Sequence, residues 1–185
     1  AIKVARYVTG KQHAIYVGYH GGFGDYLATT DKDGGILTCL KTYNHQVPWG
    51  DEDAILDCLD ICYRDLAAIM FEVPPAPWGE SLDTTRHIMA RYGELAHGAH
   101  ALIIIDEVVT GFRYGLAGAQ GYYDVQADLA CFSKGMANGY KLAALTGPRD
   151  LMQAFDGGQV FLSTTFGGEA TALAACKATL DVLHT

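Results

Sequence analysis

Two apolar runs in this sequence end in charged residues, and the chemistry such residues could perform there is specific. The run Ala101–Ile105 leads into Asp106 and Glu107, and the run Leu129–Phe132 leads into Ser133-Lys134-Gly135. An acid at the mouth of a buried strand can cap a turn, hold a magnesium ion or face a cationic heterocycle. The magnesium reading requires a glycine-rich phosphate loop ending in Gly-Lys-Ser/Thr, and the sequence contains none. The heterocycle reading acquires a partner in Lys134. A lysine set between an apolar strand and a glycine is placed at the mouth of a sheet, where desolvation lowers its pKa and turns the amine into a nucleophile able to form a Schiff base with an aldehyde. A plain turn lysine is the alternative on pattern alone.

Other candidates are weaker. Cys58 and Cys62 stand one helical turn apart, but no histidine or second cysteine pair accompanies them in the sequence. They are expected to be buried structural cysteines, and no metal site is assigned. His13, His45, His87, His97, His100 and His184 show no ligand spacing. His20 reads either as a packed residue or as support for a functional neighbour.

The elements that must position Asp106 and Lys134 follow from periodicity. Apolar residues at near-helical spacing from Ile2 to Val8 predict a helix stopped by Gly10, and Ala170–Leu183 predicts another. Between them, strands are expected at His13–Val17, Leu66–Val73, Ala101–Asp106, Leu129–Phe132 and Leu142–Thr146, with helices at Asp51–Ile61 and Leu82–Ala96. Val73–Gly79, with three prolines, reads as a turn within one domain. Near-continuous apolar strands separated by helices imply an α/β fold around a mostly parallel sheet flanked by helices. In such sheets functional groups gather beyond the carboxyl ends of the strands.

Composition excludes several functions. The chain has 185 residues, half of them apolar, with 13 Lys+Arg against 21 Asp+Glu and a net charge of −8. An acidic balance without a basic stripe argues against nucleic acid as a partner. The apolar runs are far shorter than the roughly 20 residues that cross a bilayer, so no membrane span is expected. Five cysteines without a disulfide framework suit a reducing, cytoplasmic setting. Both ends fall in helices, which suggests an internal piece of a longer protein.

A resemblance sharpens the chemistry. Ile103–Arg113, Gly118–Tyr123, Asp128-Leu129 and Ser133-Lys134-Gly135, with Tyr19-His20-Gly21 before them, Glu72 and the prolines in the middle and Thr164–Gly168 after, resemble the class III pyridoxal-phosphate aminotransferases in order and spacing. The glutamate-1-semialdehyde 2,1-aminomutase branch is the most similar. The resemblance implies a partial fold-type I large domain over residues 1–185, with a phosphate loop expected upstream and a small domain downstream. It implies pyridoxal 5′-phosphate as cofactor, a small-molecule amino donor, a carbonyl acceptor and a homodimer with shared active sites. By position, Lys134 matches the lysine that holds the cofactor and shuttles a proton, and Asp106 matches the acid that pairs with the pyridine nitrogen. Tyr19 and Val108 match the contacts on the two ring faces. Thr165 matches a threonine that reaches the phosphate bound in the neighbouring subunit. Met136–Lys141 and Glu169 differ from the aminomutase pattern, so a transaminase acting on an amino acid, amino sugar or ω-amino acid fits equally. A truncated domain without catalytic activity is the non-enzymatic alternative.

Overall fold

The computed structural model describes residues 1–73 and 81–185. The turn expected over Val73–Gly79 falls, from residue 74 on, outside the described residues.

In chain order the elements are α1 (Ile2–Thr9), β1 (His13–Val17), α2 (Gly24–Leu27), α3 (Leu40–Tyr43), β2 (Asn44–Val47), α4 (Glu52–Cys62) and β3 (Leu66–Glu72). They continue with α5 (Leu82–Gly98), β4 (Leu102–Glu107), α6 (Gly118–Tyr123), β5 (Leu129–Phe132), β6 (Ala144–Thr146), α7 (Arg149–Met152) and α8 (Ala170–Leu183). The helix boundaries have local causes. Gly10 ends α1 in the left-handed conformation, φ 68°, and donates its N–H to the Arg6 carbonyl. Asp51 and Ser81 start α4 and α5 by accepting from Ala54 N–H and Thr84 N–H. Glu169 starts α8 in the same way, accepting from Thr171 and Ala172 N–H.

The strands form one sheet in the order β2-β1-β3-β4-β5-β6, parallel except for β6, which runs against β5. Alternation along each strand sorts the core into two layers. Ile15, Val17, Ile69, Phe71, Ile103 and Ile105 face α4 and α5, where Ile55, Leu59, Met89 and Tyr92 meet them. Ala14, Tyr16, Ala68, Met70 and Ile104 face the opposite layer, built from Val4 and Ala5 of α1 and from Ala154. Each fully buried large aliphatic side chain contributes about 1.5–3 kcal/mol, so the central strands anchor the rim that follows them.

The expected strands and long helices are present. Two features differ from the sequence reading. The polar segment Asn44-His45-Gln46-Val47 is an edge strand, held by its pairing with β1 rather than by a hydrophobic run. The last strand begins at Ala144 instead of Leu142 and is antiparallel. No helix among the described residues is long and apolar enough to cross a membrane. All five cysteines are free.

Candidate active site

The carboxyl ends of β1, β3, β4 and β5 lie side by side, and each carries an ionisable residue in its last two positions or within three residues beyond. The register aligns Glu72 with Asp106 and Asp106 with Cys131, three residues before Lys134. Gly18, just after β1, takes φ +99°, a conformation glycine adopts without strain. A Cβ there would lie 3.4 Å from the Glu72 Cβ, so the β1 exit runs close against β3.

Asp106 is buried at 7% exposure and held in a fixed orientation. Its Oδ1 accepts the Val108 N–H at 3.0 Å, a local turn bond of the kind short acids make. Its Oδ2 lies 2.9 Å from Nδ1 of His20, whose Nε2 lies 3.2 Å from the Val17 carbonyl. The ring thus bridges Asp106 and the exit of β1 through its two nitrogens. Tyr16 and Tyr26 flank His20, with ring centroids at 5.8 and 5.4 Å, and the Tyr26 hydroxyl donates to the Gly18 carbonyl at 3.2 Å. Glu72 accepts from the Tyr19 N–H. Burial first, and the neighbouring Asp106 charge second, push the Glu72 carboxyl above the ordinary carboxylate range, while His20 and Lys134 pull it back.

Lys134 opens a short 3-10 turn, Lys134–Ala137, directly after β5. It is exposed, and its φ of 40° lies in the left-handed region, as does that of Asn138 at the far end of the turn. The Ser133 hydroxyl fastens the turn by donating to the Leu142 carbonyl at 2.7 Å. The expectation of a desolvated lysine is thereby corrected: the side chain stands at the mouth of the sheet but lines an open hollow with Arg113, Ser133 and Tyr140.

Glu107 takes the opposite face of β4 and is wholly buried. It accepts from the Thr110 hydroxyl, from the Ala119 and Gln120 N–H groups at 3.0 Å each, and from the Gln120 side-chain amide at 3.3 Å. Adjacent strand residues point to opposite faces, so Asp106 and Glu107 cannot share a magnesium ion, and the hydrolase reading fails on that ground.

The structure thus brings Asp106 and Val108 together and sets Lys134 on the neighbouring strand exit. Tyr19 stands at the same rim, 67% exposed and edge-on to Tyr26 with ring centroids at 5.9 Å. Thr165 is apart from them, exposed in the turn before α8. The sequence left the role of His20 open and gave none to Glu72. Their roles come from the register across β1, β3 and β4, which a one-dimensional pattern does not carry.

Comparison with known proteins decides the family. The sequence profile described as aminotransferase class-III matches residues 1–185. The chain belongs to this family. This class-III chain is 35% identical over 185 residues to a 3-aminobutyryl-CoA aminotransferase of Cloacimonas acidaminovorans, covering 100% of the chain and 44% of that protein. It is 36% identical over 196 residues to a glutamate-1-semialdehyde 2,1-aminomutase of Methanoculleus marisnigri, covering 100% of the chain and 47% of that protein. The class-III chain therefore spans less than half the length of these relatives. Its fold matches an omega-transaminase from Sphaerobacter thermophilus with a TM-score of 0.81 at 21% identity, over 98% of this chain and 46% of that one. It also matches a structure described as a transaminase with PLP bound, with a TM-score of 0.76 at 23% identity, over 98% and 46% of the two chains.

Proposed function

We propose that this class-III chain is the greater part of the cofactor-binding domain of an enzyme that transfers amino groups with pyridoxal 5′-phosphate. The observation that carries the reading is the orientation of Asp106, clamped between His20 and the Val108 N–H on the strand beside the one that leads to Lys134. The donor set suits the cofactor. A carboxylate offers about four lone-pair sites and Asp106 uses two of them, which leaves capacity for a protonated ring nitrogen. The His20 ring keeps that carboxylate aimed.

In this reading Asp106 would hold the proton on the pyridine nitrogen, Lys134 would hold the cofactor through Nζ, and Tyr19 and Val108 would flank its ring. When bound, the cofactor supplies an electron sink for the carbon from which a proton is removed. Lys134 Nζ would take that proton and return it. Thr165 serves the phosphate bound by a second copy of the chain. That assignment is supported by its exposure in a segment where Phe161, Leu162 and Phe166 are each more than 70% exposed and await cover. The substrates are a small amino donor and a carbonyl acceptor, and the five free thiols suit the cytoplasm.

An intramolecular transfer, as in the aminomutases, uses the same groups. The 36%-identical relative that bears that name supports it as the second reading.

The test is reconstitution of the protein with the cofactor. A visible absorption band is expected that borohydride abolishes while fixing the cofactor's mass on Lys134, and both are lost in Lys134→Ala. No band, or label on another lysine, overturns the proposal. Product analysis with single amino compounds then separates isomerisation from two-substrate transfer.

A further inference from the structure

We propose that His13, His45 and Cys62 form a metal site of their own, at the amino-terminal end of the sheet, which takes a zinc-class divalent cation. His13 opens β1, His45 lies in the neighbouring β2, and Cys62 is the last residue of α4, which brings the chain back to that end. One ring nitrogen of each histidine and the Cys62 sulfur all lie within 4.8 Å of one another. The catalytic rim is at the opposite end of the same strands, so this inference stands independently of the proposed function.

The geometry approaches that of a three-ligand zinc site. Nδ1 of His13 and Nε2 of His45 are 2.9 Å apart, on rings stacked 6° from parallel with centroids at 5.2 Å. Tetrahedral zinc, at about 2.0–2.1 Å from nitrogen and about 2.3 Å from sulfur, sets the nitrogens roughly 3.4 Å apart and each roughly 3.6 Å from the sulfur. The rings need part by only about half an ångström, and the thiol turns in from its weak hydrogen bond to the Cys58 carbonyl.

The surroundings favour ligation. Asp65 Oδ2 lies 3.8 Å from Nε2 of His13, on the side of the ring away from the site, where a small side-chain movement brings it to the outer nitrogen. The second Asp65 oxygen accepts the Gln12 N–H at 3.2 Å, which fixes the carboxylate. The edge of Tyr43 packs on His13 at 5.3 Å. On binding, the cation displaces the Cys62 thiol proton, which leaves to solvent as the sulfur–metal bond forms. Water takes the fourth position. Two nitrogens and one thiolate select borderline metals such as zinc over magnesium or calcium. This arrangement corrects the sequence reading in which Cys62 had no histidine near it. It also gives β2, an edge strand without a hydrophobic run, a second attachment.

The test is titration of the chelator-stripped protein with Co(II) alone, followed by displacement with Zn(II). The expected result is stoichiometric binding, with the visible bands of tetrahedral cobalt and a thiolate-to-cobalt charge-transfer band. Cys62→Ser, which keeps a donor for the Cys58 carbonyl, removes the charge-transfer band, and Cys58→Ser leaves it intact. Asp65→Asn weakens binding roughly 10–100-fold. Absence of the thiolate band in the wild type, or its survival in Cys62→Ser, overturns the proposal. Should Cys62→Ser fail to fold by circular dichroism, His45→Gln decides: a loss of affinity of at least about tenfold supports the site and unchanged affinity overturns it.

Discussion

On one face of β4, Asp106 accepts two hydrogen bonds and keeps lone pairs to spare at the rim; one residue on, across the sheet, Glu107 accepts four and is sealed from water. Both acids are buried and both end the same apolar run. What separates them is satisfaction. Glu107 spends its acceptors on the loop and on the start of α6, so its work is to hold the fold. Asp106 is positioned by neighbours without being used up by them, the condition for meeting a ligand.

The largest effect tests the sealed face. Glu107→Ala leaves the Thr110 hydroxyl and the Ala119 and Gln120 N–H groups without their acceptor in the interior, and denaturant titration is expected to show a loss of roughly 3–5 kcal/mol. A loss below about 1 kcal/mol would make Glu107 no more structural than a surface acid.

The second tests the open face. Asp106→Asn keeps the shape but removes the charge, so amino-transfer activity is expected to fall about 10²–10³-fold. Its stability, by contrast, is expected to change by only about 1 kcal/mol. Should both measurements fall together, the division of labour between the two acids is wrong.

Gly118→Ala sharpens the comparison further. The residue has φ +65°, and a Cβ there would lie 2.5 Å from Glu107 Oε1, so a loss of about 1–3 kcal/mol in thermal or chemical unfolding is expected.

The smallest effect concerns Glu72, aligned with Asp106 on the same rim. Its folded pKa is raised, chiefly by burial, so the stability of its protonated form is complete below the ordinary glutamate value and is lost as pH rises through the raised one. Relative to Glu72→Gln, which does not titrate, the wild type is therefore expected to lose stability as pH climbs through that window. Urea midpoints measured across a pH series check it, and a flat difference refutes it.

Much of this was legible in the sequence because buried parallel strands announce themselves. Leu129–Phe132 and His13–Val17 are apolar runs bounded by turn residues, and their limits follow directly. Asp106 and Lys134 were found because they terminate such runs. The segment Asn44–Val47 was not, because an edge strand held by one neighbour's backbone needs no apolar pattern. The His20–Asp106 contact spans 86 positions and the His13–His45 contact 32, so ligand spacing along the chain, the signal available to sequence reading, does not register either. Glu107 was seen only as Asp106's neighbour, since the parity that separates them matters only once the two layers exist.

Lys134 adopts a backbone conformation in which glycine would be more at ease. In the proposed function the amine outweighs that unease. On that proposal, homologous sequences with glycine or asparagine at this site would have given up covalent attachment while keeping the scaffold.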